Sequence, residues 1–330
     1  MTPPDLQPLR IGTRGSALAV AQTGTIASAL AAKTGAAAEI VTISTEGDRS
    51  TAALASLGGT GVFATALRDA LLAGEVDVVV HSLKDLPTAA APGLSIAAIP
   101  KRADARDALC ARDSLTLDTL PPGARVGTGS PRRVAQLKVR RPDLEVVGIR
   151  GNVDTRLGKV ASGELDAVVL AAAGLERLGR LDSVTQFLGL DGWPTAPGQG
   201  ALAVEVRAGE EKLASALDHR SSRLLVEAER QTLALLEAGC SAPVGAHALI
   251  DDGMLFLSVR VYAADPSSAT GTDAAYLTSS HALYLDDTKD PAGELAARVS
   301  TELFDLGAAE LMGTSAAQSP SGASGSGEPA

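Results

Sequence analysis

Short apolar runs without alternation punctuate this chain, and between them apolar residues recur at helical spacing. GEVDVVVHSLKD (74–85) and GELDAVVLAAAGL (163–175) each read as an acidic turn leading into a strand that is apolar almost throughout. Strands of that kind belong to sheets covered on both faces. RIGTRGSALAVAQ (10–22) and RVGTGSPRRVAQ (125–136) form a second matched pair: a short strand, a Gly-Thr turn, then a serine placed to cap a helix. In the later copy Ser130 precedes Pro131, a good pairing of N-cap and first helical residue. The matches run in the same order in both halves. The pattern therefore predicts two related α/β lobes.

Extra material separates the matched pieces of the first lobe. Residues 39–74 supply a strand, a loop rich in Gly, Ser and Thr, and a helix. That helix places Val62, Ala66 and Ala70 on one stripe, flanked by Phe63, Leu67 and Leu71. The loop, about 45–61, has few apolar anchors, and its composition suits a lid and a passive connection equally. A third region starts near Ser221. SSRLLVEAERQTLALLEAG reads as a helix with Leu225, Ala228, Thr232 and Leu235 on one face and Gly239 as its stop. VGAHALI, the turn DDG, the alternating MLFLSVRVYA and then AAYLTSSHALYL predict a small antiparallel sheet. A last helix, about 292–312, is expected to cover that sheet, and the low-complexity tail from Gly313 is expected to be disordered.

Composition narrows the possibilities. Only eight residues are Phe, Trp or Tyr, so aliphatic side chains must fill the cores. The start, MTPPDLQPLR, lacks a basic region followed by an apolar stretch, and ALAVAQTGTIASALA is interrupted by Gln22, Thr23 and Thr25. No apolar run approaches a membrane span, so the cytoplasm is the expected location. Two cysteines and four scattered histidines form no CxxC and no HxxxH, so neither a disulfide framework nor a metal site is expected.

The net charge of −10 is unevenly placed. From Arg125 to Lys159 nine Lys/Arg face three Asp/Glu. That window holds no aromatic residue on which bases could stack, and the acidic remainder would repel phosphates. A small polyanion held in a pocket fits better than nucleic acid.

Ligands of open α/β lobes gather beyond the carboxyl ends of strands, where helix N-termini also point. Arg14 and Ser16, Ser82 to Asp85, Thr128 to Arg133, and Arg150 to Arg156 all fall there. Arginine forks and helix-start N–H groups suit carboxylates or phosphates. With no GxxxxGK[ST], and no GxGxxG after a strand, a small carboxylated molecule fits better than a nucleotide. Lys84 and Asp85, in HSLKDLP, end a buried strand; they read either as a surface ion pair of little energetic value or as charges aimed into a cleft. A carboxylate among cations stays ionised and can stabilise a developing positive charge or pass a proton. Cys240, in LEAGCSAPVG, follows a helix stop, where the dipole does not favour a thiolate. Its loop setting suits a covalent tether, which needs reach rather than activation. Cys110, inside DALCARD, reads as an ordinary buried cysteine.

Seven segments together resemble the porphobilinogen deaminase family: IGTRGSALAVAQ, HSLKDLPT, VGTGSPRRVAQL, RRPDLEVVGIRGNVDTRL, AAAGLERLG, APGQGALAVEVR and LEAGCSAPVG. They run in order from residue 10 to about 247; each alone is weak, and the ordered set carries the likeness. The resemblance implies α/β architecture with two periplasmic-binding-protein-like lobes around a cleft and a small α+β C-terminal domain. Residues 1–100 with 198–218 would form the first lobe, 101–197 the second and 219–312 the C-terminal domain, with 313–330 a tail and Gln199 at the hinge.

The activity it implies is a transferase that joins four porphobilinogen units head to tail, with loss of ammonia, into hydroxymethylbilane. Cys240 would carry a dipyrromethane primer through a thioether. Asp85 would hydrogen-bond pyrrole N–H and stabilise the azafulvenium formed as ammonia leaves, and Lys84 would bind a substrate carboxylate. Arg14, Ser16, Ser82, Thr128, Ser130, Arg132, Arg133, Arg150, Arg156 and Arg177 would hold cofactor and substrate. A monomer acting without nucleic acid or membrane is the family expectation. Ser56 and Thr60 stand where members often carry lysines, and Gly129 stands where a hydroxyl residue is often seen. The competing reading is a two-lobed small-anion binding module without catalysis, which would need neither Cys240 nor Asp85.

Overall fold

A computed structural model describes residues 8–44, 61–238, 242–263 and 275–313, without the side chains of 61–63. The expectations for the 45–61 loop with Ser56 and Thr60, for the Val62 and Phe63 side chains, for the Gly239 stop, for Cys240 and for the tail fall outside what is described.

The first sheet begins with β1 (Leu9–Arg14), α1 (Ala17–Thr34), β2 (Ala38–Ile43), α2 (Gly61–Leu72), β3 (Val78–Ser82) and β4 (Leu94–Ala98). The chain then crosses to a second sheet, with β5 (Asp107–Ala111), β6 (Arg125–Thr128), α3 (Pro131–Arg140), β7 (Glu145–Gly148), α4 (Val153–Ala161), β8 (Ala167–Ala171), α5 (Ala172–Arg177) and β9 (Gln186–Leu188). It returns to the first sheet as β10 (Leu202–Arg207). Strand orders are β2-β1-β3-β10-β4 and β7-β6-β8-β5-β9. In each sheet the first three strands are parallel and the fourth is antiparallel to both of its neighbours. The two matched sequence pairs thus occupy matched places, β1 with β6 and β3 with β8.

The acidic turns have a shared task. Asp77 Oδ2 accepts from the Arg10 N–H at 3.0 Å, and Asp166 Oδ2 accepts from the Arg125 N–H at 2.6 Å. Each aspartate so closes the start of the neighbouring parallel strand, satisfying a backbone donor that the ladder leaves over. The continuous apolar runs are buried on both faces, as in β3 and β8. Ser16 and Ser130 cap α1 and α3, with Pro131 opening the latter. On α2 Leu67, Ala70 and Leu71 of the expected face are buried together with Ala64, while Ala66 is only partly buried.

The C-terminal part comprises α6 (Arg220–Leu235), the antiparallel sheet β11 (Val244–Asp251), β12 (Met254–Tyr262) and β13 (Tyr276–Tyr284), α7 (Pro291–Asp305) and α8 (Ala308–Met312). The expected single helix over 292–312 is two, because Gly307 takes φ 96°, a left-handed conformation that a right-handed helix cannot continue through. The buried residues of α6 are Ser222, Val226, Ala228, Glu229, Thr232 and Leu233, whereas Leu235, expected inside, is exposed. Ala228 and Thr232 are buried as expected and Leu225 packs against the same core, so the departure is confined to Leu235 and to the buried Glu229. Among the described residues no helix is long and apolar enough to cross a membrane.

Candidate active site

Beyond Ser82 the chain makes one tight 3₁₀ turn, Leu83–Asp85. Leu83 and Leu86 are fully buried, and the Leu83 N–H donates to the Ala201 carbonyl at 3.0 Å. These anchors fix the half-buried Lys84 and Asp85 between them. Arg230 of α6 adds a clamp from the C-terminal part, donating to the carbonyls of Leu83, Leu86 and Pro87 at 3.1, 2.9 and 2.7 Å. Ser82 Oγ accepts from Gln22 Nε2 of α1 at 3.0 Å. A loosely solvated surface pair would have no such framework.

In the second lobe Thr128 is buried at the end of β6, and Ser130 Oγ accepts from the Arg133 N–H at 3.5 Å. Arg132 and Arg133 are both buried and converge on one carboxylate, that of Asp107. Arg132 Nη2 donates to Asp107 Oδ2 at 2.9 Å, and Arg133 Nη2 to Asp107 Oδ1 at 2.7 Å. Trp193 Nε1 and Gln199 Nε2 complete the shell at 2.9 and 2.8 Å. Burial works against the Asp107 carboxylate, but the two guanidiniums outweigh it and hold its pKa far below the usual range. The sequence reading gave these arginines directly to a ligand; the structure gives each an internal anion first. Their Nε–H groups, buried and without a partner among the described residues, are the donors left over.

Lys84, Ser130, Pro131 and Arg132 line one pocket with Ala196, Pro197, Leu233, Ala242 and Val244. Both lobes and the C-terminal part contribute to it. Lys84 Nζ donates to Gln199 Oε1 at 3.3 Å, so Gln199 touches Lys84 with its oxygen and Asp107 with its nitrogen. Burial pulls the Lys84 ammonium down to about 8; Asp85 and Asp107 resist, while Arg133 and Arg132 reinforce the fall. Below that value Lys84 is charged and favours an anion, and above it the charge is lost. Affinity for a small dicarboxylate is therefore expected to fall as pH rises through about 8, and Lys84→Arg should remove that limb. A parental titration flat from pH 7 to about 9.5 would contradict this.

Arg156 Nε donates to the Gly151 carbonyl at 2.8 Å, and burial, with Arg133 nearby, lowers its pKa. Arg177 Nη2 donates to the Gly200 carbonyl at 2.8 Å and is likewise lowered, chiefly by burial. Arg14, Ser16 and Arg150 sit at the carboxyl ends of their strands but do not line the pocket. At Gly129 a Cβ would come 2.6 Å from the Ile149 carbonyl oxygen, which explains the missing hydroxyl residue. Gly200 is equally constrained: φ is 86°, and a Cβ would meet the Ala103 carbonyl at 2.7 Å where the two crossings pass.

One further cluster escaped the sequence reading. Glu229, fully buried on α6, accepts from Arg102 Nη1 and Nη2 at 2.7 and 3.0 Å, from the Gly198 N–H at 2.7 Å and from the Ala248 N–H at 2.9 Å. Arg102 also donates from Nε to the Gln199 carbonyl at 2.8 Å. A single carboxylate so joins both inter-sheet crossings to the C-terminal part. The available signals were an aspartate opening the apolar run DALCA and a glutamate amid the apolar positions of α6. Cys110 in β5 is buried, and burial raises its thiol to about 12, in keeping with an inert cysteine.

The charged residues of the pocket lining are Lys84 and Arg132, both cations, and Arg132 Nε is a buried donor left without a partner among the described residues, so the residues present fit a ligand bearing carboxylates. Residues 9–215 match the family described as porphobilinogen deaminase, dipyromethane cofactor binding domain, and residues 223–283 match porphobilinogen deaminase, C-terminal domain. The chain is 59% identical over 311 residues to the porphobilinogen deaminase of Leifsonia xyli, covering 92% of this chain and 94% of that one. It is 52% identical over 315 residues to that of Thermobifida fusca, covering 94% and 97%. Among solved structures, a periplasmic substrate-binding protein of an ABC transporter from Coxiella burnetii aligns with a TM-score of 0.40 and 15% identity, covering 63% of this chain and 91% of that one.

Proposed function

The chain belongs to the porphobilinogen deaminase family, and on that footing we propose how its residues divide the work of the reaction. The enzyme is a transferase of tetrapyrrole biosynthesis that joins four porphobilinogen units head to tail, releasing ammonia, into hydroxymethylbilane; its cofactor is dipyrromethane. A binding module without catalysis is not favoured by this membership.

Asp85 carries the chemistry. Its carboxylate accepts from the pyrrole N–H of the incoming porphobilinogen and stabilises the positive charge that grows as the aminomethyl nitrogen leaves. The same oxygen receives and returns the proton that the carbon–carbon bond-forming step displaces. Lys84, on the same turn, holds a substrate carboxylate and so fixes the ring over Asp85. Ser130 and the N-terminus of α3 offer hydrogen bonds to a second carboxylate. Arg132 and Arg133 supply the positive field, with Arg156 near Arg133; Arg14, Ser16, Ser82, Arg150 and Arg177 serve the cofactor and substrate from outside the pocket lining, and Thr128 from its buried place at the end of β6. Pro197, Leu233 and Val244 give the pocket an apolar wall that limits water at the reacting carbon. Gln199 serves as the hinge contact between lobes, and the domains follow the sheets, with β10 belonging to the first.

Cys240 is the attachment point of the dipyrromethane. When bound, that group supplies the anchored pyrrole end to which each new unit is joined. The observation that carries this reading is the composition of the pocket. Lys84, Ser130 and Arg132 face Ala242, which lies two residues along the chain from Cys240. We place the enzyme in the cytoplasm as a monomer. Incubated with porphobilinogen alone, the purified protein is expected to release four ammonia for each linear tetrapyrrole formed. Consumption of porphobilinogen without that ratio, or no consumption, would defeat the reading.

A further inference from the structure

We infer that Asp107 is a positioning residue for this reaction: it holds Arg132 and Arg133 side by side and, through Gln199, orients Lys84. The inference rests on the reading of the cleft given above and deepens it. Asp107 has no exposure and takes four hydrogen bonds, from Arg132, Arg133, Trp193 and Gln199. Two guanidiniums on neighbouring residues repel each other, and a carboxylate between them is what allows both to stay buried. One anion against two cations also leaves a surplus of positive charge, which a site serving stability alone would not need. Arg132 lines the pocket, so that surplus is presented to a ligand.

Gln199 passes the order on to the other lobe. Its Nε2 is committed to Asp107 Oδ1 and to the Ala105 carbonyl, both at 2.8 Å. The amide cannot flip without losing both bonds, so Oε1 faces Lys84. The charged groups that act on Lys84 are Asp85 on its own turn, Arg132 and Arg133 on α3, and Asp107 on β5. Without Asp107, two cations would be opposed by Asp85 alone, and Lys84 would give up its proton more readily.

The test reads Lys84 chemically rather than through turnover. In the enzyme as purified, the acylation rate of Lys84 by acetic anhydride is followed against pH by peptide mass, in the parent and in Asp107→Asn. The midpoint is expected to fall by about half a pH unit or more in the variant. The KM for porphobilinogen is expected to rise several-fold while kcat stays near the parental value. A folded Asp107→Asn with an unmoved midpoint and an unmoved KM overturns the inference. Should Asp107→Asn fail to fold, Trp193→Phe decides, since it keeps every charge and removes one of the four donors. A raised KM with unchanged kcat supports the positioning role, and an unchanged KM refutes it. Absence of added mass at Cys240 would sink the tether reading without touching the Lys84 result, so the two failures are separable.

Discussion

Asp85→Asn is expected to lower kcat by about 10²- to 10⁴-fold while changing KM far less. Asparagine keeps the shape of the side chain and an oxygen that can accept from a pyrrole N–H. What it lacks is the full negative charge and the ability to take up and return a proton. Both matter only once ammonia begins to leave, so the loss falls on the transition state rather than on substrate binding. The half-buried position between two fully buried leucines makes the substitution safe for the fold, because the turn is held by Leu83, Leu86 and Arg230 rather than by the carboxylate. Steady-state rates with porphobilinogen across a range of concentrations give the split directly. A variant with near-parental kcat would remove Asp85 from the chemistry.

Glu229→Ala is expected to cost about 3–5 kcal/mol of stability, the usual consequence of stranding one partner of a buried pair. Arg102 is 7% exposed and would keep its charge with no counter-ion, while the Gly198 and Ala248 N–H groups would lose their acceptor. These donors come from the first crossing, the second crossing and β11. Denaturant unfolding should therefore separate into more than one transition in the variant, the C-terminal part parting from the lobes. A single transition at the parental midpoint would show that other contacts hold the joint.

Where sequence alone succeeded, local chemistry and tertiary demand agreed. Ser130 with Pro131 could be little other than a helix start, and VDVVV and DAVVL little other than strands buried on both faces. Lys84 and Asp85 stand out in the sequence because two charges at the end of such a strand are costly unless they are used; of the two, Lys84 lines the pocket. What stayed hidden were the anions that hold the site from behind. Asp107 and Glu229 lie 92 and 127 residues, respectively, from partners Gln199 and Arg102. Spacing along the chain carries no trace of pairings so remote: Asp107 merely opens the apolar run ALCA after Arg106, and Glu229 stands among Glu227, Arg230 and Gln231 like any charge on a solvated helix face. On α6 the expected Ala228 and Thr232 are buried, whereas Leu235 is exposed and the buried Glu229 went unread. The broken last helix has a local cause, the backbone of Gly307, but one glycine among helix formers is too weak a signal to place a break.

The central claim, a growing oligopyrrole anchored on a cysteine beside Lys84 and Asp85, is met most directly by intact mass with peptide mapping of the active enzyme. The expected parent is heavier than its sequence by two pyrrole units, placed on the peptide that contains Cys240, and Cys240→Ala shows neither the added mass nor turnover. Fully active enzyme with the bare mass of its sequence would contradict the account.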